Sequence, residues 1–129
     1  MLLTRFAQAD DLLQPERYWF EAPNGANWAL FVLRGASSLG VLQSRDDTSP
    51  LSWGSASASP GDLVVDAFTP NDSAASCSEL DGGTHVTEFG HFKVAFLPID
   101  ATGRSPPVSV DCFMNGPGQA DQLRVFAAP

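Results

Sequence analysis

The chain has 129 residues, 43% of them hydrophobic, and its 15 acidic against 7 basic residues give a net charge of −8. That length fits one domain, and that apolar fraction is too high for a disordered chain. The negative surface repels a phosphate backbone, and Lys93, the single lysine, belongs to no basic cluster, so nucleic acid is not an expected partner.

The first residues, Met1 to Asp11, lack the basic start and long apolar run of a signal peptide. No stretch approaches the ~20 apolar residues of a membrane helix. The expectation is a protein made in the cytoplasm with no membrane partner. Residues 1–15 read as an N-terminal arm or a short helix. Over 4–14 a helix would put Phe6, Ala9, Leu12 and Leu13 roughly on one side, and Pro15 would stop it. Either way Leu2, Leu3, Phe6, Leu12 and Leu13 want burial, on the chain itself or on a neighbour, and are candidate interface residues.

Residues 16–129 read as a single domain of strands and turns. Arg17 to Ala22 is aromatic and β-prone. Asn24-Gly25 suits a type I′ hairpin, because both positions tolerate positive φ. Asn27 to Arg34 is the return strand, and Leu39 to Gln43 a further short one. Residues 44–59, rich in Ser, Asp, Thr and Ala, read as a long surface connection interrupted by Leu51 and Trp53. Ser59-Pro60-Gly61-Asp62 is a turn, with Pro setting φ at its second position and Gly accepting positive φ at its third.

Strands are then predicted at Leu63 to Phe68, His85 to Phe89 and His91 to Leu97, separated by turns at Thr69-Pro70-Asn71-Asp72 and Asp81-Gly82-Gly83. In the third of these, Phe92, Val94 and Phe96 share one face and Lys93 and Ala95 the other. Val108 to Met114 alternates with Val108, Val110, Cys112 and Met114 inward. After a loop at Asn115-Gly116-Pro117-Gly118, Gln122 to Ala127 closes the chain with Leu123 and Val125 inward and Arg124 outward. About eight short strands with a turn every ~8–15 residues predict an all-β fold, an antiparallel β-sandwich or a jelly-roll-like arrangement.

No residue cluster reads as a catalytic centre, and none as a cofactor or metal site. His85, Glu88 and His91 carry zinc-binding groups, but their spacing fits no ligand motif, and they read as strand residues. Asp46, Asp47, Asp62, Asp66, Asp72 and Asp81 lack the loop spacing that calcium requires and read as turn caps and solubilising charges. The serines sit in no G-x-S-x-G elbow. Asn71-Asp72-Ser73 matches a glycosylation acceptor, a tripeptide common by chance. Cys112 reads as a buried thiol on the Val108/Val110 face and Cys77 as a loop residue; a bridge between them is the alternative. Trp53, in the polar connection, either caps the core or stands exposed as an anchor for a partner or a sugar ring.

Three stretches carry a resemblance: Trp28 to Gly35, Ser59 to Phe68 with its Pro-Gly-Asp-Leu-Val-Val strand, and Asp121 to Pro129. Their order and spacing over residues 28–129 resemble a β-sandwich module of bacteriophage structural proteins and some bacterial surface proteins. The resemblance implies a jelly-roll-like sandwich and a structural or binding role. The expected function is therefore a non-enzymatic virion protein, a capsid decoration or cement protein or a tail-associated one, assembled in the host cytoplasm. Its expected partners are a major capsid or tail protein, or copies of itself. The alternative is a carbohydrate-binding module whose loop aromatics, Trp53 first, stack on a glycan.

Overall fold

The structure, a computed structural model, describes residues 33–71, 76–78, 85–89 and 92–129. The predicted strand at 17–22, residues 27–32 of the strand predicted at 27–34, the Asn24-Gly25 hairpin, the N-terminal interface residues and His91 lie outside them, while Leu33 and Arg34 are described and belong to no strand. The described residues are all-β, with antiparallel pairing throughout and no helix.

Among the described residues ten strands follow in chain order: β1 Ala36–Leu39, β2 Gln43–Asp47, β3 Leu51–Trp53, β4 Leu63–Thr69, β5 Ser76–Cys77, β6 His85–Phe89, β7 Phe92–Pro98, β8 Val108–Val110, β9 Cys112–Phe113 and β10 Gly118–Ala127. The main sheet runs β1-β10-β4-β7-β6, and β2 also pairs with β10. The ten-residue β10 is long enough to serve both: its first half pairs with β2 and its last residues with β1. Two short ribbons, β3-β8 and β5-β9, complete the pairing.

Directly opposed residues of an antiparallel pair point to the same face. Leu97, Val64 and Arg124 are therefore one row across β7, β4 and β10, with rows Ala95–Asp66–Gln122 and Lys93–Phe68–Ala120 beside it. On this face Val64, Phe68, Ala95, Leu97 and Ala120 form one cluster with Leu51, Val108, Val110 and Cys112 of the short ribbons. On the opposite face Val65, Ala67, Val94, Leu123 and Val125 form a second cluster, joined by Leu39, Leu42 and Phe96. The side chains of the second cluster are at most 7% exposed. At about 25 cal/mol per Å² of apolar surface, burial on both faces makes β4, β7 and β10 the most stabilised strands of the sheet.

The β4 turn forms as its residues dictate. Gly61 has φ of 95°, and the Asp62 N–H donates to the Ser59 carbonyl at 3.0 Å. β6 spans the predicted residues, while β7 begins one residue later than predicted and ends one later.

Several expectations are corrected. The strand predicted over 39–43 is split: β1 ends at Leu39, β2 begins at Gln43, and the Gly40 N–H donates to the Arg124 carbonyl between them. Residues 44–59 are not one surface connection, since most of β2 and all of β3 lie within them. Polar strand residues hid both: β2 is an edge strand reading Gln-Ser-Arg-Asp-Asp, and only its backbone is needed to pair with β10. The strand predicted over 108–114 breaks at Asp111, whose N–H donates to the Ser78 hydroxyl at 3.2 Å. β10 starts four residues earlier than predicted. The buried apolar residues form one cluster on each face of the main sheet. Cys112 is not a free thiol: it is bonded to Cys77, its cross-strand partner on β5.

Candidate functional site

A cleft of about 210 Å³ opens on the first face of the sheet, beside the cluster that the short ribbons cover. Its floor is β4 and β10, through Val64, Gln122, Arg124 and Phe126. Two segments wall it. One is the β1–β2 turn, with Gly40 and Val41, followed by Gln43 at the start of β2. A Cβ on Gly40 would come within 3.2 Å of the Arg124 Cβ, so the missing side chain lets the turn lie close on β10.

The second wall is the segment after β3, which contributes Ala56. It has no strand partner of its own in the main sheet and is held by the loop at 103–105. Ala58 N–H donates to the Gly103 carbonyl and Ser105 N–H to the Ala56 carbonyl, both at 3.0 Å. The Ser55 hydroxyl donates to the Ser105 carbonyl at 2.6 Å, and Ala56 N–H to the Ser105 hydroxyl at 3.0 Å. That loop is itself set by Asp100, whose Oδ1 accepts from Thr102 N at 2.8 Å and Arg104 N at 3.1 Å. These bonds hold the Asp100 carboxyl below the usual carboxylate range, the Thr102 hydroxyl first among them. Arg124 reaches across the cleft floor and donates to the Ser57 carbonyl, tying this wall to β10.

A polar row crosses the floor. Gln43 opposes Gln122, and Gln122 opposes Asp66, so three adjacent strands present amide, amide and carboxyl on one face. Gln122 Nε2 donates to Asp66 Oδ1 at 2.9 Å. Asp66 is 0% exposed and its Oδ2 has no hydrogen-bond partner. Burial pushes its carboxyl up to about 6, and the Gln122 bond offsets only part of that rise. Gln43 is exposed and Gln122 half-buried, so the row runs from solvent into the interior.

Trp53 lies on β3, half-buried against the first cluster, with its Nε1 buried and without a hydrogen-bond partner. The Arg45 guanidinium sits 4.4 Å above the ring centroid. Arg45 also donates to Asp47 Oδ2 at 3.0 Å and to the Ser52 carbonyl. One face of the indole is thus occupied, and a sugar stacking there competes with Arg45. Leu2, Leu3, Phe6, Leu12 and Leu13 lie outside the described residues. Of the histidine–glutamate set, His85 and Glu88 sit on β6. Among the described residues no group of three or more His, Cys, Asp or Glu is placed to hold a metal ion.

A second surface feature stands apart from the cleft. Phe113 is 85% exposed on β9, directly after Cys112, whose bond to Cys77 closes a sequence separation of 35 residues. Val41, at the cleft mouth, is 86% exposed.

Sequence reasoning left out the cleft residues. Gln122 and Arg124 alternate with buried Leu123 and Val125, which is the pattern of any outward-facing strand position. Asp66 did carry a signal: it is the one charge inside the apolar run Leu63 to Phe68. A carboxylate there has to be either a turn cap or a buried polar group, and its mid-strand position argues for the second. No family model, no curated protein and no solved structure matches the chain.

Proposed function

We propose that the chain is a non-enzymatic interaction module of the sandwich or jelly-roll kind, carried on the outside of a bacteriophage particle as a capsid decoration or tail-associated protein. The observation that carries this reading is Phe113, a phenyl ring 85% exposed on a strand clamped by the Cys77–Cys112 bond. An aromatic side chain loses little conformational freedom on docking, and a covalently fixed strand loses less still, so the ring is prepared for a contact. Disulfides persist on virion and cell surfaces, which suits a particle assembled in the host cytoplasm and then released. The partner is the major capsid or tail protein. Repetition over the particle turns a weak single contact into stable binding.

The test is cosedimentation with phage particles from the same source. The wild-type chain is expected to pellet with them at a fixed stoichiometry, and Phe113→Ser to stay in the supernatant at unchanged melting temperature. Equal pelleting of both proteins, or of neither, overturns the reading.

A further inference from the structure

We propose that the cleft between the Gly40–Val41 turn and the Ala56 segment is a binding site for one uncharged pyranose ring, read by the carboxamides of Gln43 and Gln122 and the guanidinium of Arg124. Nothing in the docking role assigned to Phe113 requires this cleft, and the two sites are tested separately.

The size comes first. A cleft of about 210 Å³ falls below the ~300–1,000 Å³ of sites for drug-sized ligands, so its occupant is a single small ring. The lining chemistry narrows the class. Gln122 spends one N–H on Asp66 at 2.9 Å and keeps a second N–H and its Oε1; Gln43 offers a whole carboxamide. Donors and acceptors therefore stand side by side, which matches hydroxyl groups, since each hydroxyl both donates and accepts. A ligand of one polarity, a phosphate or an ammonium ion, would leave half of these groups unsatisfied.

Charge balance points the same way. The floor carries the Arg124 guanidinium, and directly behind Gln122 lies the Asp66 carboxyl with one oxygen unpartnered. An anion drawn by Arg124 meets Asp66 behind it, and a cation drawn by Asp66 meets Arg124 first. Neither sign gains much, and a neutral ligand is the one the floor does not penalise. The remaining accessible lining, Val41 and the Phe126 ring beside the Arg124 guanidinium 5.7 Å from its centroid, is apolar, and it suits the C–H face that a pyranose presents opposite its hydroxyl edge.

The ring can be a free hexose or the end of a glycan chain, and both present the same hydroxyl pattern. The experiment is a titration of the ¹⁵N-labelled full chain, followed by amide chemical shifts, with D-glucose, D-galactose, D-mannose and N-acetyl-D-glucosamine. D-glucuronate, D-glucosamine and inorganic phosphate are the charged arms, and maltose and lactose stand for chain ends. At least one neutral sugar is expected to give saturable shifts at Gly40, Gln43 and Gln122 to Phe126, with Kd on the order of 1 mM, as suits so small a ligand. Gln43→Ala, at an exposed position that the fold does not need, is expected to weaken that binding about fivefold, the worth of one net hydrogen bond. A disaccharide binding at least as tightly as its hexose marks a chain end, and weaker binding marks a free sugar. The proposal fails if no neutral sugar gives saturable shifts at these amides. It also fails if a charged arm binds better, or if Gln43→Ala and Gln122→Ala both leave Kd unchanged.

Discussion

The Asp62 carboxylate ties the start of β4 to the far end of β10: its Oδ1 accepts the backbone N–H of Ala127 at 3.0 Å. Its other oxygen accepts the Ser59 N–H at 3.1 Å, so one side chain closes the turn and fastens the last strand. Asp62 is only 6% exposed, and truncation would strand two N–H groups. Asp62→Ala is therefore expected to lower unfolding free energy by about 2–3 kcal/mol, and Asp62→Asn by less because one acceptor remains. Urea denaturation measures both, and a loss below about 0.5 kcal/mol in the alanine variant contradicts this account.

Asp66 sets a pH dependence with an unusual sign. Its folded-state carboxyl titrates at about 6, above the 3.8 of an unperturbed aspartate, which the unfolded chain takes. Between those values the folded chain holds a proton that the unfolded chain has released. Its contribution to stability therefore falls as pH rises from about 4 to about 6, and the penalty is complete above that window. The penalty is on the order of 2–3 kcal/mol. Asp66→Asn, which keeps an acceptor for Gln122, is expected to flatten this part of the stability profile. It should also be more stable than the wild type at pH 7.5. Denaturation midpoints of both proteins across that window decide it; parallel profiles would show that Asp66 is not the titrating group.

The Cys77–Cys112 bond closes a loop with a sequence separation of 35 residues between two strands that pair only through two residues each. So short a ribbon has little pairing of its own beyond the Ser78–Asp111 bonds that extend it, and the covalent link adds to them. Loop-closure entropy puts the stabilisation at about 3–4 kcal/mol. Reduction under native conditions, or the double variant Cys77→Ala with Cys112→Ala, is expected to lower the melting temperature by at least ~10 °C. A shift within ~2 °C would mean that the ribbon holds without it.

Sequence predicts well the strands whose apolar residues recur at every second position. The bounds of β6 and β7, to within one residue, and the inward Val108, Val110 and Cys112 of β8 and β9 follow from the period of two. Where both faces are buried, the pattern loses meaning: Asp66 and Lys93 occupy inward positions that alternation assigns to solvent, and both are at most 9% exposed. β2 failed for the opposite reason, because an exposed edge strand has no apolar face to announce it. The cleft was hidden for a third reason. Gly40 and Gln43, Ala56, and Gln122 come from three separate stretches of sequence, and the bonds from the 103–105 loop and from Arg124 to the Ser57 carbonyl bring Ala56 opposite Gly40. The disulfide is of the same kind, since pairing of Cys77 with Cys112 depends on the register of β5 against β9.

Two glycines separate backbone crowding from the general cost of replacing glycine. At Gly118, the first residue of β10, an added Cβ would lie 2.8 Å from the Thr69 carbonyl oxygen and 3.2 Å from both Leu51 Cδ1 and Met114 Sδ. The nearest atom belongs to the backbone of β4, whose neighbouring residues pair on both sides, so relief requires moving a central strand or unpairing the start of β10. Gly54, after β3, has nothing within 4 Å of an added Cβ and no positive φ. Gly118→Ala is expected to cost about 1–3 kcal/mol through overpacking. Gly54→Ala is expected to be neutral or to stabilise by up to about 1 kcal/mol, since it only restricts the unfolded chain. Equilibrium unfolding of the two variants side by side makes the comparison. If both lose the same stability, the crowding at β10 is not what glycine relieves, because Gly54 has no neighbour to crowd.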